Sequence, residues 1–241
     1  MPLVFSPLSE DILSSPPRAL YPRHAFVMRQ IGNPPAVDER MAEIALDVFA
    51  RRGIAIKDAD ASTGGKDFLE RILGLIRGAG FTVAIFSHDT RGTAMANIML
   101  ELGFAAMCGK PLVIIKSKEA AAPSDFTRTD WVEFDPKEEG RFRHKLNQAL
   151  TTIDELAAYE ETLLEVALRA RSMDCAVAFE RANKAFLLTG DGRFLDKALE
   201  IKTRLEKAGD TDAIADLERL RNEIAMFVRQ GRQALEAMGS R

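Results

Sequence analysis

The sequence predicts an α/β domain followed by an all-helical domain. Short apolar segments alternate with amphipathic helical segments from residue 23 to residue 136, which predicts a five-stranded parallel sheet with helical crossovers. Beyond residue 136 no strand-like segment remains, while helical periodicity continues. We therefore expect an irregular leader over residues 1–22, an α/β domain over 23–136 and a helical domain over 137–241.

The predicted strands differ in how apolar they are. Phe81–Phe86 is nearly all apolar and too short for an ordinary helix, so we expect it at the centre of the sheet, covered on both faces. Leu112–Ile115 is a second buried strand, whereas Asp130–Phe134 is more polar and suits an edge. The two strands that precede them are His24–Met28 and Ile54–Ile56. The pattern favours the flavodoxin-like strand order 2-1-3-4-5.

The predicted helices show apolar residues at intervals of three and four. Those between the strands are Asp38–Arg51, Lys66–Arg77 and Met95–Cys108. Those of the helical domain are Leu146–Ala170, Cys175–Leu188, Arg193–Ala208 and Asp212–Met238. The helical domain offers no catalytic constellation and few aromatic residues, so we expect it to associate with itself or with a protein partner.

The composition argues against several classes of function. A formal net charge of -3 provides no field that would attract nucleic acid. No apolar run approaches the roughly 20 residues that span a bilayer, and the amino terminus lacks the pattern of a secretory signal. The two cysteines, Cys108 and Cys175, form neither a disulfide framework nor a metal-ligand pattern. We expect a cytoplasmic protein without a membrane, metal or nucleic-acid partner.

The candidate catalytic residues lie on the helix after the third strand. Asn97 and Glu101 are four residues apart and share a helix face, while Ile98 and Leu102 lie on another face that can cover the sheet. Gly103 within the helix costs up to about 1 kcal/mol relative to alanine, which suggests close approach by a neighbouring backbone or a ligand. We interpret the Asn97–Glu101 pair as facing a cleft; the alternative is an ordinary solvated helix face.

Further candidates lie in the loops after the strands, because ligands of such sheets bind beyond the carboxyl ends. The candidate ligand-binding residues are Arg29, Asp58, Gly64, Gly65, His88 and Asp89. Arg29 could pair with a phosphate, Asp58 could bind a ribose hydroxyl, and His88 could donate to a leaving base or a phosphate. The two glycines open a helix whose N–H groups suit a phosphate, although the spacing of a P-loop is absent. Solvated side chains, turn-forming aspartates and a plain helix N-cap explain the same residues without a ligand.

The segment from Asn97 to Pro111 resembles a known family. Its pattern N-x-x-x-E-L-G-x-A-x-x-x-G-K-P, followed by a buried strand, is similar to the nucleoside 2-deoxyribosyltransferase-like proteins and the related bacterial TIR-like nucleotide-binding domains. The preceding strand and helix agree, as does Pro123–Phe126 leading into Trp131–Phe134, so that the resemblance covers about 115 residues. The segment Met28–Gly32, at the end of the first strand, lacks the aromatic residue common in the transferases, which makes the TIR-like branch the better match.

The resemblance implies an enzyme that cleaves or transfers at an N-glycosidic bond of NAD or a related nucleotide or nucleoside. Glu101 would attack or stabilise the anomeric carbon, and Asn97 would orient it or bind a ribose hydroxyl. The nucleotide would then be a substrate, and no other cofactor is expected. The TIR-like branch also includes nucleotide sensors, often in bacterial defence against phage. The alternative is therefore a non-catalytic sensor whose helical domain mediates homo-oligomerisation or partner binding, and a third reading is a purely structural interaction protein.

Overall fold

The computed structural model describes residue 17 and residues 19–58, 68–121, 131–170, 174–207 and 214–239. Its strands are β1 (Tyr21–Met28), β2 (Ala55–Asp58), β3 (Ala79–Phe86), β4 (Leu112–Ser117) and β5 (Trp131–Phe134). Its helices are α1 (Ala36–Arg51), α2 (Phe68–Gly78), α3 (Gly92–Met107), α4 (Glu139–Arg169), α5 (Cys175–Thr189), α6 (Arg193–Lys207) and α7 (Ile214–Gly239). None of these described helices is long and apolar enough to cross a bilayer.

The five strands form one parallel sheet in the order β2-β1-β3-β4-β5, which confirms the predicted α/β, flavodoxin-like fold. Every residue of β3 is buried, because helices cover both faces of the sheet at its centre. β2 lies on one side of β1 while β3, β4 and β5 follow on the other side, so the direction in which strands are added across the sheet reverses between β1 and β3. This topological switch point is where open α/β sheets ordinarily bind their ligands.

The two faces of the sheet have separate apolar cores. On one face α1 and the first half of α4 pack against the strands, with Phe142 of α4 edge-on to Phe134 of β5 at 5.1 Å. On the other face α2 and α3 cover residues such as Phe26 and Phe86. The first half of α4 therefore contributes to the core of the sheet, although it lies beyond the predicted boundary at residue 136.

A third core joins the second half of α4 to α5, α6 and α7. This C-terminal helical region packs tightly on the sheet: a Cβ added to Gly80 would lie 2.5 Å from the carbonyl oxygen of Leu187 in α5. Leu20, which immediately precedes β1, also belongs to this core. The helical region and the sheet are thus in direct contact along the N-terminal end of β1 and β3.

Candidate functional site

Two loops meet at the topological switch point and are joined by polar side chains. Gln30 follows β1 and is buried; its side-chain amide donates to the carbonyl of Asn33 at 2.7 Å and accepts from the backbone N–H of Arg91 at 3.0 Å. The guanidinium of Arg91 in turn donates to the carbonyl of Gly32 at 2.7 Å. The loop after β1 and the loop after β3 are therefore held against each other by hydrogen bonds.

A second link joins the loop after β3 to helix α1 through a buried carboxylate. The hydroxyl of Thr90 donates to Oδ2 of Asp38 at 2.7 Å and accepts from the backbone N–H of Ser87 at 2.8 Å. Asp38 lies in the first turn of α1, is only 2% exposed, and its Oδ1 has no hydrogen-bond partner among the described residues. The positive end of the α1 dipole favours a carboxylate at this position.

A hollow of about 270 Å³ lies beside the switch point, at the ends of β1 and β2. Its walls are formed by Arg29, Gln30, Ile31, Gly32, Pro34, Glu39 and Asp58. The structure thus brings together two predicted ligand-binding residues, since a guanidinium nitrogen of Arg29 is 3.7 Å from Oδ2 of Asp58. This separation is long for an ion pair between partly exposed side chains, so each group retains capacity for other partners.

The predicted residues His88 and Asp89 also lie together, at the ends of β3 and β4. Nε2 of His88 is 3.4 Å from Oδ1 of Asp89, and Nδ1 is 3.3 Å from the hydroxyl of Ser117. A second carboxylate, that of Glu119, lies 4.0 Å from Nδ1. None of these residues is part of the wall of the hollow at β1 and β2. They form a separate polar group on the far side of β3.

Glu101 lies within helix α3, away from the loop residues at the ends of the strands. It is the tenth residue of α3, which places it roughly 14 Å along the helix axis from the start of the helix. Helices α2 and α3 share one apolar core, in which Ile98, Leu102 and Ala105 are the buried side chains of α3.

The carboxyl group of Glu101 is half-buried and unpaired. It has no hydrogen bond or ion pair with any residue in the described ranges, and burial raises its pKa to about 7. Asn97, one turn earlier on α3, is exposed to solvent. Gly64 and Gly65, the remaining predicted ligand-binding residues, lie outside the described residues.

Several polar residues of interest were not among the predicted site residues. Asp38 and Glu39 open α1, and a pair of acids directly after the first strand and its loop is a signal that the sequence carries. Lys110 ends the turn after α3 and donates to the carbonyl of Ala79 at 2.6 Å. Burial, with a smaller effect of neighbouring cations, lowers the pKa of Lys110 to about 7. Its hydrogen bond to the first residue of β3 indicates a structural role.

The described part of the chain holds no cluster of three His, Cys, Asp or Glu side chains suited to a metal ion. Neither a protein-family model nor a curated protein sequence matches this chain.

Proposed function

We propose that this protein cleaves or transfers at the N-glycosidic bond of NAD or a related nucleotide or nucleoside, with Glu101 as the carboxylate that acts on the anomeric carbon. The observation that carries the proposal is the environment of Glu101: its carboxyl group is half-buried and meets no cation or hydrogen-bond donor in the described ranges. The resemblance of the segment around Asn97 and Glu101 to the deoxyribosyltransferase-like and TIR-like proteins supports the same reaction.

A carboxylate removed from water without a partner destabilises the folded protein, and such groups cluster at functional sites. In N-glycoside cleavage the electron pair of the C–N bond leaves with the base, and positive charge develops on the sugar ring. The ionised Glu101 would stabilise that charge or form a bond to the anomeric carbon, and water or a second acceptor would complete the reaction. The developing cation supplies the opposite charge that no residue in the described ranges provides.

The hollow at the ends of β1 and β2 supports a nucleotide as the ligand of this sheet. The guanidinium of Arg29 suits a phosphate, and the carboxylates of Asp58 and Glu39 can accept hydrogen bonds from ribose hydroxyls. The hollow lies next to the switch point, where the fold places ligands of many α/β proteins. A nucleotide offers a phosphate and ribose hydroxyls at once, but Glu101 is not part of the wall of this hollow and lies roughly 14 Å along α3 from the start of that helix.

The test is release of the free base, followed by chromatography after incubation of the full chain with NAD and with common nucleosides. We expect release by the wild-type protein and a loss of at least about a hundredfold in Glu101→Gln, which keeps the shape of the side chain and removes its charge. Glu155→Gln is the matched control, because Glu155 is an exposed glutamate of α4. Absence of release by the wild-type protein at every protein concentration, or equal release by Glu101→Gln, would contradict the proposal.

The packing of the helical region favours a second candidate, a nucleotide sensor without turnover. Because α5 contacts the backbone of β3 at Gly80, a change in the sheet on ligand binding can reach the helices directly. In this case nucleotides would raise the unfolding temperature of the wild-type protein and of Glu101→Gln alike, while no base is released.

A further inference from the structure

A groove between α6 and α7 has an apolar lining and positive charge along its walls. It has a volume of about 500 Å³, and its apolar residues are Leu199, Ala225 and Val228. The charged residues of its walls are Lys202, Arg229, Arg232 and Glu236. Three cations against one carboxylate give this surface, which we call the α6/α7 groove, a net positive charge. It therefore suits a segment of chain that is both apolar and acidic.

Two of these cations, Arg229 and Arg232, have no partner in the described part of the chain. Neither guanidinium has a hydrogen bond or an ion pair with a described residue, and both residues are exposed. The other arginines of α6 and α7 all have a contact within the chain: Arg193 with Asp191, Arg204 with Glu200, Arg219 with Glu223, and Arg221 with the carbonyl of Leu205. The unpaired arginines of these two helices therefore both lie at the α6/α7 groove.

Residues 1–16 of the same chain have the composition that this groove requires. Their two ionisable side chains are the adjacent carboxyl groups of Glu10 and Asp11, and they include no lysine or arginine. Large apolar residues lie on both sides of the acids, namely Leu3, Val4, Phe5, Leu8, Ile12 and Leu13. An acidic pair flanked in this way can place its carboxylates on the two arginines while its apolar side chains cover the lining of the groove.

The part of the chain that the structure describes begins close to the groove. Leu20 is buried in the same apolar core as Val228, one of the apolar residues of the groove. A Cβ added to Gly190 would lie 3.7 Å from the side chain of Met238 in α7 and 3.8 Å from that of Pro22. The start of β1 and the end of α7 therefore lie next to each other, at Gly190.

The amino-terminal segment is long enough to cover the groove. The wall that α7 contributes extends from Ala225 to Glu236, which is roughly 16 Å along the helix axis. Sixteen residues can span up to about 55 Å when extended. A segment tethered this close to a surface has an effective concentration there on the order of millimolar, which favours it over a separate partner.

We propose that residues 3–13 bind in the α6/α7 groove of their own chain, with the carboxylates of Glu10 and Asp11 at the guanidinium groups of Arg229 and Arg232. The contact would extend the apolar core that Leu20 shares with α7, and it would neutralise two arginines that the described residues leave unpaired. It would also close the groove to other acidic segments. A partner of the helical region that binds there would therefore have to displace residues 3–13.

The proposal is tested in the full chain by disulfide trapping, which reports how often two positions meet. In a background with Cys108→Ala and Cys175→Ala, Ser9→Cys is combined with Gln233→Cys, because Gln233 is an exposed residue of the groove wall. The effective concentration of this pair is measured from its intramolecular disulfide in a glutathione buffer. We expect a value at least about tenfold above that of a control pair.

The control pair combines Ser9→Cys with Gln148→Cys on α4. Gln148 is exposed and lies less than two turns from Asp154, which pairs with Arg23 of β1 at 2.9 Å. It is therefore within reach of residues 1–16, although it is not part of the α6/α7 groove. Equal effective concentrations for the two pairs would overturn the proposal.

Reversal of the charges separates specific pairing from mere proximity. Arg229→Glu with Arg232→Glu should lower the effective concentration of the groove pair about tenfold, because carboxylates would then face carboxylates. Adding Glu10→Lys with Asp11→Lys should restore it. Both arginines are exposed, so circular dichroism should show an unchanged fold in these variants.

Two results of the charge reversal would overturn the proposal: no loss when the arginines are reversed, or no recovery when the acids are reversed as well. Disulfide-linked dimers in place of the intramolecular bond would also overturn it, because the groove would then receive the segment of a second copy.

Discussion

The carboxyl-terminal edge of the sheet and helix α3 differ in how far their side chains are paired or covered within the chain. At the edge, the hydroxyl of Thr90 joins the carboxylate of Asp38 to the backbone of Ser87, and the amide of Gln30 joins two loops. On α3, the carboxyl group of Glu101 is half-buried without a partner in the described ranges, and Leu100 projects into solvent. Apart from Oδ1 of Asp38, the edge pairs these buried polar groups within the chain, whereas Glu101 of α3 has no partner among the described residues.

From this difference we expect the residues at the edge to serve the fold, whereas the proposed function assigns Glu101 to an external ligand. A side chain that completes an internal hydrogen-bond network contributes to stability, and its loss should be seen in unfolding experiments. A desolvated, unpaired carboxylate lowers the stability of the folded protein, and an exposed leucine contributes little to it. In the proposed function a substrate would give Glu101 the partner that the described residues do not provide.

The largest effect on stability is expected at the edge, from Thr90→Val. The change keeps the shape of the side chain but leaves both the N–H of Ser87 and the carboxylate of Asp38 without the hydroxyl that joins them. We expect the free energy of unfolding in urea at neutral pH to fall by about 2–4 kcal/mol. Thr93→Val, on the exposed first turn of α3, is the control and should change stability by no more than about 0.5 kcal/mol. Equal effects of the two substitutions would show that the buried network does not stabilise the edge.

On α3 the expected change has the opposite sign, since Glu101→Gln should stabilise the protein. The pKa of Glu101 is raised in the folded state to about 7 from an ordinary value of 4.5. The folded protein therefore binds the proton more tightly than the unfolded chain, and the charge begins to destabilise the fold as the pH rises above the unfolded pKa. The penalty is complete above pH 7, where removing the charge should yield on the order of 1–3 kcal/mol. The stability that Glu101→Gln gains over the wild type should shrink toward zero as the pH falls from 8 to 4.5. A Glu101→Gln variant that is less stable than the wild type at pH 8 would contradict the burial of an unpaired charge.

Periodicity and strand composition were sufficient to predict the architecture of the sheet. The all-apolar segment that became β3 could only be buried on both faces, and the alternation with helices left a parallel sheet in flavodoxin-like order. The predicted starts of strands and helices were less accurate where polar residues form part of the strand or helix. β1 begins at Tyr21, within the predicted leader, and α4 begins at Glu139, because its charged first turns carry only Phe142 as a core contact.

The candidate site shows the limit of reasoning from spacing. Residues four apart on a helix share a face, but in the folded protein Glu101 is half-buried while Asn97 is exposed. The contact between Asp38 and Thr90 joins residues 52 positions apart and follows from the order of the strands rather than from any local pattern. The pairing of Arg29 with Asp58 has the same origin, because β1 and β2 are neighbours in the sheet.

The pH dependence of base release would show which protonation state of Glu101 acts. If the ionised carboxylate stabilises the anomeric carbon, kcat/KM should rise about tenfold per pH unit below pH 7 and level off above it. The raised pKa places this change in the accessible range, whereas an ordinary glutamate would be ionised throughout. Stopped assays of base release from pH 5.5 to pH 8.5 would measure it. A rate that falls as the pH rises through 7 would instead assign Glu101 the role of a proton donor to the leaving base.

The smallest effect is expected from Arg29→Ala at the hollow between β1 and β2, and it concerns binding more than stability. The pair of Arg29 with Asp58 is long and partly exposed, so its loss should lower the free energy of unfolding by no more than about 1 kcal/mol. Loss of a cation that contacts phosphate should nevertheless weaken nucleotide binding severalfold, measured by calorimetry or by nucleotide-dependent thermal stabilisation. Arg51→Ala, which removes an exposed arginine of α1 paired with Asp47, is the control. If both variants bind nucleotide as the wild type does, the hollow at β1 and β2 is not where the phosphate lies, and the ligand must be sought along the side of α3 that carries Glu101.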